Sequence, residues 1–202
     1  MANTGGLLNI LNEEKKISSA YNSVPIIKLI RKHKPQTKSE LKELIEFHYI
    51  HKCECGIRSK GTIEDFGQNL YESQLEYWGE YKFSLNECIQ WEYDLFITNS
   101  LKGEYMEGKA VEELKKILPS IFTVNEVSNV VDINFRVDVE VRWCDFLVFG
   151  VQVKPESYEF MSDDIKNINY ALNSKYPVEV RYLYYDSDGV FLNIDDVVKG
   201  YL

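Results

Sequence analysis

Two polar residues interrupt a strand-like apolar stretch, "FGVQVKPESY", at residues 149–158. Gln152 and Lys154 are two positions apart, a spacing that places both side chains on one face of a β-strand. An amide and an ammonium are costly inside a core unless each has a partner. We therefore expect this pair to belong to a site that extends beyond its own strand.

The preceding strand offers acidic partners on the same face. If the two strands form a hairpin with a three-residue turn centred on Asp145, Asp138 lies directly opposite Gln152. Glu140 and Lys154 then share that face. The opposite face forms the core, with Val139, Val141, Leu147, Phe149, Val151 and Val153.

Such a group of side chains suits a divalent metal ion, since Mg²⁺ prefers oxygen ligands and typically takes one or two carboxylates. Asp138 would bind the ion, and the Gln152 carbonyl oxygen would be a neutral ligand. Lys154 would orient or help deprotonate an attacking water and offset charge on a phosphate. Because Gln152 brings no charge, a second carboxylate is expected; the candidates are Glu140, Glu112 and Glu113.

Two alternatives stay open. Asp145 also precedes the apolar strand and is a rival for the first metal position. It lies seven residues from Gln152, so on one continuous strand the two side chains would point to opposite faces. The four polar residues could also form a solvated sheet face with ordinary cross-strand ion pairs.

The elements that would position these residues follow from periodicity and capping signals. Thr37 with Glu40, Thr62 with Asp65, and Ser84 with Glu87 predict three helix starts. A further helix is predicted from about residue 105 to residue 118, where Pro119 ends it.

After Pro119 the pattern becomes typical of strands. Strands are predicted at residues 130–135, 136–143, 147–154 and 177–186, followed by a short strand at 190–193 and a last helix. Helical spacing between the third and fourth strands predicts a crossover helix. The fold class is therefore α/β (α+β): a central mixed β-sheet flanked by helices over residues 105–202, with a helical N-terminal region over 1–104.

This order of elements, with Asp138 on the second strand and Gln-x-Lys on the third, resembles the PD-(D/E)xK nuclease superfamily. The stretch "VDVEVRWCDFLVFGVQVKPESY" resembles its Q-x-K variant, found in type II restriction endonucleases. The resemblance covers about residues 105–193. It implies Asp138 and Gln152 as metal ligands, Lys154 as the catalytic lysine, and a helical glutamate such as Glu113 to complete the site.

The implied activity is Mg²⁺-dependent hydrolysis of double-stranded DNA at a specific sequence. One alternative is a structure-specific or repair nuclease of the same superfamily, such as a junction resolvase. Others are a DNA-binding module that has lost catalysis and an acidic protein-interaction domain.

The charge distribution favours a DNA partner more than the net charge of −9 does. Residues 1–60 hold 11 Lys and Arg against 6 Asp and Glu, whereas residues 61–202 hold 12 against 26. Clustered basic side chains are what phosphate binding requires. The candidate DNA-contacting residues lie on a basic stretch and on the loop and helix start that follow: Arg31, Lys34, Arg58, Ser59, Lys60, Thr62, Gln68 and Asn69. A solvated helix end and a capped surface helix are the alternatives.

The stretch from Cys55 to Gln74 also resembles small restriction enzymes of the ScaI group, which implies a short palindrome containing GTAC. A palindromic site implies a two-fold homodimer with one active site per strand. A cognate methyltransferase is expected to act separately.

His48, His51, Cys53 and Cys55 fall within eight residues, but their spacing is not that of a familiar zinc module. We expect instead a helix end with partly buried thiols. The four cysteines are few and irregularly spaced, which favours reduced thiols. With no membrane-length apolar run and no signal-peptide pattern, a cytoplasmic protein is expected.

Overall fold

The computed structural model describes residues 6–19, 22–161 and 163–202. The chain forms two compact units, Met1–Lys102 and Gly103–Leu202. None of the helices in these described ranges is long and apolar enough to cross a membrane.

The first unit is helical. Its helices are α1 (Leu7–Lys15), α2 (Ile26–His33), α3 (Lys38–Ile50), α4 (Ile63–Trp78) and α5 (Leu85–Tyr93), and it also contains the start of α6 (Asn99–Ile117). A stripe of apolar side chains from α2, α3 and α4 forms its main core, with Leu29, Ile30, Leu41, Ile45, Ile63 and Phe66 all buried.

All three predicted helix starts are confirmed. The Thr37 hydroxyl accepts a hydrogen bond from the Glu40 backbone N–H at the start of α3. Thr62 and Ser84 form complete capping boxes with the acids three residues later. Helix α6 begins at Asn99, six residues earlier than predicted, because α5 continues into it through a π-helical turn.

The second unit is built on a four-stranded sheet. Its elements after α6 are β1 (Phe122–Glu126), α7 (Asn129–Phe135), β2 (Val139–Trp143), β3 (Phe146–Pro155), a 3₁₀ turn (Glu156–Phe160), α8 (Asp163–Asn173), β4 (Val180–Tyr185) and α9 (Ile194–Val198). The strand order is β1-β2-β3-β4. The first three strands are antiparallel neighbours and β4 runs parallel to β3 after the α8 crossover. The predicted mixed sheet flanked by helices is confirmed.

The first predicted strand, residues 130–135, is wrong. That segment is helix α7, and the strand lies earlier, at Phe122–Glu126. Short apolar runs do not distinguish a strand from a helix by periodicity alone. Val130 and Ile133 are exposed on the helix, so the run does not contribute to the core of the sheet. The short strand predicted at 190–193 is reduced to a single bridge between Tyr185 and Phe191.

The sheet has one apolar face, which α6 covers. Met106, Ala110, Val111 and Leu114 of α6 pack there against strand residues Val139, Val141, Phe149, Val151, Val153 and Leu183. Leu147, predicted to lie in this core, does not join it; Val148 packs there instead. The other face carries Gln152 and Lys154, beside Tyr182 and Tyr184 of β4.

Candidate functional site

The register of the β2–β3 hairpin decides which polar residues meet. The turn has two residues, Cys144 and Asp145, since Trp143 pairs directly with Phe146. A β-bulge then skips Val148, and the pairing continues with Val139 opposite Val151. The bulge cancels the shift that the shorter turn introduces.

The predicted register is therefore confirmed at the inner end of the hairpin. Asp138 directly precedes Val139 and Gln152 directly follows Val151, so both residues flank the last directly opposed pair of the hairpin. The same bulge explains why Val148 rather than Leu147 packs against the core, because one extra residue reverses the faces of the β3 residues between the bulge and the turn.

Asp138 lies where the two strands stop pairing. Its backbone N–H donates to the Val151 carbonyl at 2.9 Å, and its carboxylate Oδ2 accepts the Val153 backbone N–H at 2.8 Å. The side chain therefore takes the place that a backbone carbonyl would occupy in a continued ladder. This contact fixes a nearly buried carboxylate at the start of β2, level with Gln152.

Gln152 is fully buried, yet its amide is not satisfied. Neither Oε1 nor Nε2 has a hydrogen-bond partner among the residues that the structure describes. An unsatisfied buried polar group costs about 1–3 kcal/mol. A fully buried amide beside a nearly buried carboxylate fits a site that binds a further polar group. A hard cation is one such group, since it accepts oxygen ligands from both side chains.

Lys154 follows on the same face as Gln152 and is partly exposed. Its ammonium lies 5.9 Å from the centre of the Tyr158 ring. Tyr158 and Tyr184 also line an adjoining open cleft of about 340 Å³, together with Glu159, Lys166, Tyr170 and Tyr182. Lys154 is therefore two residues from the buried Gln152 and close to Tyr158, which lines this cleft.

Glu140 shares this face but is already engaged. Both of its carboxylate oxygens accept hydrogen bonds from the Arg142 guanidinium, at 2.9 and 3.2 Å. Asp145 is exposed in the turn, and seven residues of strand place it about 23 Å from Gln152. The structure therefore places Asp138, Gln152 and Lys154 at one end of the hairpin and Asp145 at the other.

The predicted helical acids lie on α6, and Glu112 lines an open pocket with Gly108 and Glu126. Glu113 pairs with Lys116 at 2.9 Å, and Glu112 is exposed beside Lys115. Gly108 of α6 also lies close to the end of β1, since a Cβ atom added there would be 3.5 Å from the Glu126 carboxylate. Glu126 pairs with Val139, the residue after Asp138.

Glu104 and Glu107 are acids on α6 that sequence analysis did not consider, and Glu107 is the one next to Gly108. Glu113 is about 9 Å further along the helix axis than Glu107. Burial, together with the negative charges of Glu107 and Asp138, raises the pKa of the Tyr185 phenol to about 12. The charges of both carboxylates therefore act on the pKa of one buried phenol. The signal in the sequence is the position of Glu107 on the apolar stripe of α6, shared with Ala110, Val111 and Leu114.

Comparison with known protein families decides the wider class. The sequence matches the MjaI restriction endonuclease family over residues 5–193, nearly the whole chain. The chain belongs to the MjaI restriction endonuclease family. This membership supports a type II restriction endonuclease, which is a nuclease that hydrolyses DNA. Restriction endonucleases generally use divalent metal ions. The chain has no significant match to a curated protein or to a solved structure.

For a restriction endonuclease, the loop before α4 is of interest because it carries basic side chains. Arg58 and Lys60 are exposed. Between them, Ser59 is buried, and its hydroxyl donates to the Gly61 carbonyl at 2.6 Å. Thr62 is the cap of α4. The two basic side chains are therefore available to solvent, whereas Ser59 and Thr62 shape the loop.

The other residues predicted to contact DNA also lie in the helical unit. On α4, Gln68 is exposed and donates to Glu72 at 2.6 Å, and Asn69 is exposed. At the end of α2, Lys34 is exposed and Arg31 is half-buried. Their contacts with DNA stay predictions.

Proposed function

We propose that this restriction endonuclease has a PD-(D/E)xK-type site in its Q-x-K form and uses Mg²⁺ to hydrolyse both DNA strands at a short palindrome. The observation that carries the proposal is the fully buried Gln152 amide near Asp138, whose two polar atoms have no hydrogen-bond partner among the described residues. That combination suits a cation site better than a solvated sheet face, where both side chains would be open to water.

Each side chain has a distinct role in this proposal. Asp138 and the Gln152 carbonyl oxygen would hold the ion, and Lys154 would donate hydrogen bonds to a phosphate oxygen or to the attacking water. When bound, Mg²⁺ supplies a lower pKa for water and partial neutralisation of the phosphate. The hairpin register and the Asp138–Val153 hydrogen bond hold the two ligand side chains at one level before substrate arrives.

The proposed second carboxylate is Glu107 rather than Glu113 or Glu140. Glu107 and Asp138 are both close enough to Tyr185 for their negative charges to raise the pKa of its phenol. The negative charge of Glu107 would supply what the neutral Gln152 lacks.

Glu107→Gln is expected to raise the Mg²⁺ concentration needed for half-maximal cleavage by about tenfold or more, because one negative charge leaves the proposed site. Glu113→Gln is the matched control, with the same charge change on the same helix and little expected effect. A Mg²⁺ titration of plasmid cleavage measures both. A larger effect from Glu113→Gln would assign the helical acid as the sequence first indicated.

We further propose that the helical unit contacts DNA and that a homodimer reads the palindrome. Exposed Arg58 and Lys60 would contact phosphates, while Gln68 and Asn69 offer groups that hydrogen-bond base edges. A palindrome presents the same sequence on both strands, which a two-fold dimer matches with one active site per strand. The sequence resemblance implies a site containing GTAC.

Digestion of plasmid DNA with Mg²⁺ tests the proposed function, with Lys154→Ala as the paired variant. The wild type should give discrete fragments whose sequenced ends share one palindrome, and the variant should cut about 10²-fold more slowly, because one phosphate donor is lost. Lys175→Ala, an exposed lysine after α8, is the control. Cutting confined to branched DNA would indicate a resolvase. Duplex binding without cutting would refute the catalytic assignment.

A further inference from the structure

A second group of metal-binding side chains lies in the helical unit. His33 is the last residue of α2, His48 lies in the last turn of α3, and Cys53 and Cys55 lie in the loop after α3. One ligand atom from each of these four residues lies within 4.8 Å of every other. We propose that these four side chains bind one structural Zn²⁺ ion.

The four atoms are close to the separations that zinc requires. Tetrahedral zinc with nitrogen and sulfur ligands at their usual bond lengths holds its ligand atoms about 3.3–3.8 Å apart. His48 Nε2 already lies 3.3 Å from Cys55 Sγ, and the His33 and His48 ring centres are 4.8 Å apart. Small side-chain rotations therefore suffice. Two imidazoles and two thiolates in a tetrahedral arrangement favour zinc among the common metals.

The orientation of His48 is that of a metal ligand. The ring is fully buried, and Nδ1 lies 2.8 Å from the Leu44 carbonyl oxygen. A carbonyl only accepts, so Nδ1 carries the proton and the lone pair of Nε2 points toward Cys55. A second-sphere bond to a backbone carbonyl fixes the tautomer of zinc-bound histidines in the same way. His48 also continues the buried stripe of α3 formed by Leu41 and Ile45.

The geometry of the loop that carries Cys53 and Cys55 also favours zinc binding. The Cys55 backbone N–H lies 3.4 Å from Cys53 Sγ, as a donor that would stabilise a thiolate. Gly56 then turns the chain with a φ of +74°, a conformation that favours glycine. Both cysteines are free thiols, so no disulfide competes for the sulfur atoms.

Zinc would fasten a long loop to the helical unit. Residues 51–62, all of them described, contain no helix or strand and carry the basic side chains of Arg58 and Lys60. The backbone bond from Ser59 N–H to the His48 carbonyl, at 3.1 Å, returns the loop to the end of α3. A bound ion would join the end of α2, the end of α3 and this loop at one point.

Sequence analysis weighed His48, His51, Cys53 and Cys55 as ligands and expected a helix end with partly buried thiols instead of a zinc site. His51 falls within the short run of histidines and cysteines, but it is not among the four clustered residues. The fourth ligand, His33, comes from another helix and is 15 residues before His48. Spacing within one segment could not identify it.

The test is metal content, which does not depend on nuclease activity. Protein produced with added zinc and freed of loosely bound metal by gel filtration should contain one zinc per chain by mass spectrometry. Replacement by Co²⁺ should give the d–d bands of a tetrahedral ion and thiolate-to-cobalt charge-transfer bands. Because this spectrum is measured on the wild type, it does not require any variant to fold.

Matched variants locate the ion. His33→Asn and Cys55→Ser should each weaken zinc binding by more than the about 10–100-fold typical of second-sphere changes. His51→Asn, Cys144→Ser and Asp138→Asn should retain one zinc per chain. Absence of zinc from the wild type, stoichiometric iron in its place, or zinc retained at full affinity in both ligand variants would each overturn the proposal.

Discussion

Asp138→Asn is expected to reduce the rate of DNA cleavage by more than about 10³-fold without unfolding the protein. Asparagine keeps an oxygen that can accept the Val153 backbone N–H, so the local structure at the end of β2 should persist. What is lost is the negative charge beside Gln152. The measurement is single-turnover cleavage of a plasmid at saturating Mg²⁺, with duplex binding followed in parallel in Ca²⁺.

Asp145→Asn is the matched control for this change. It removes the same charge from the same hairpin, but in the exposed turn about 23 Å from Gln152. Cleavage should stay within a few-fold of the wild type. If Asp145→Asn abolished cleavage and Asp138→Asn did not, the acid that binds the metal would lie in the turn, contrary to the site proposed here.

The meeting of Asp138 and Gln152 could be predicted from sequence because it depends on local alternation. Side chains along a strand point alternately to two faces, and a hairpin brings consecutive strands together. The turn and the bulge could not be predicted from the sequence. The turn is one residue shorter than predicted, and the bulge at Val148 restores the register. Neither feature has a clear sequence signal in this hairpin.

Contacts between distant elements could not be predicted in this way. Glu107 was missed because the level at which α6 crosses the sheet depends on tertiary packing, marked by the closeness of Gly108 to β1. His33 was missed because the packing of α2 on α3 brings it to His48. Helix α7 was predicted as a strand because its apolar residues form too short a run to show a period.

Gln152→Leu is expected to raise the free energy of unfolding and to lower the rate of DNA cleavage. Leucine has a similar volume and buries no polar atoms, so it removes the cost of an amide whose Oε1 and Nε2 are unsatisfied among the described residues. The free energy of unfolding should rise by about 1–2 kcal/mol, measured in urea without divalent metal. Cleavage should fall by about 10³-fold, because the neutral oxygen ligand is gone.

Gln74→Leu is the control that makes this result specific. Gln74 is also fully buried, but its Oε1 accepts the backbone N–H groups of Lys82 and Phe83, and its Nε2 donates to the Phe83 carbonyl. The same substitution there should lower the free energy of unfolding by about 2 kcal/mol or more, because it leaves three backbone groups without partners. Opposite signs at the two positions would show that Gln152 is retained for binding rather than for folding. A destabilised Gln152→Leu protein that still cuts DNA would show that the amide is structural and that the metal is held elsewhere.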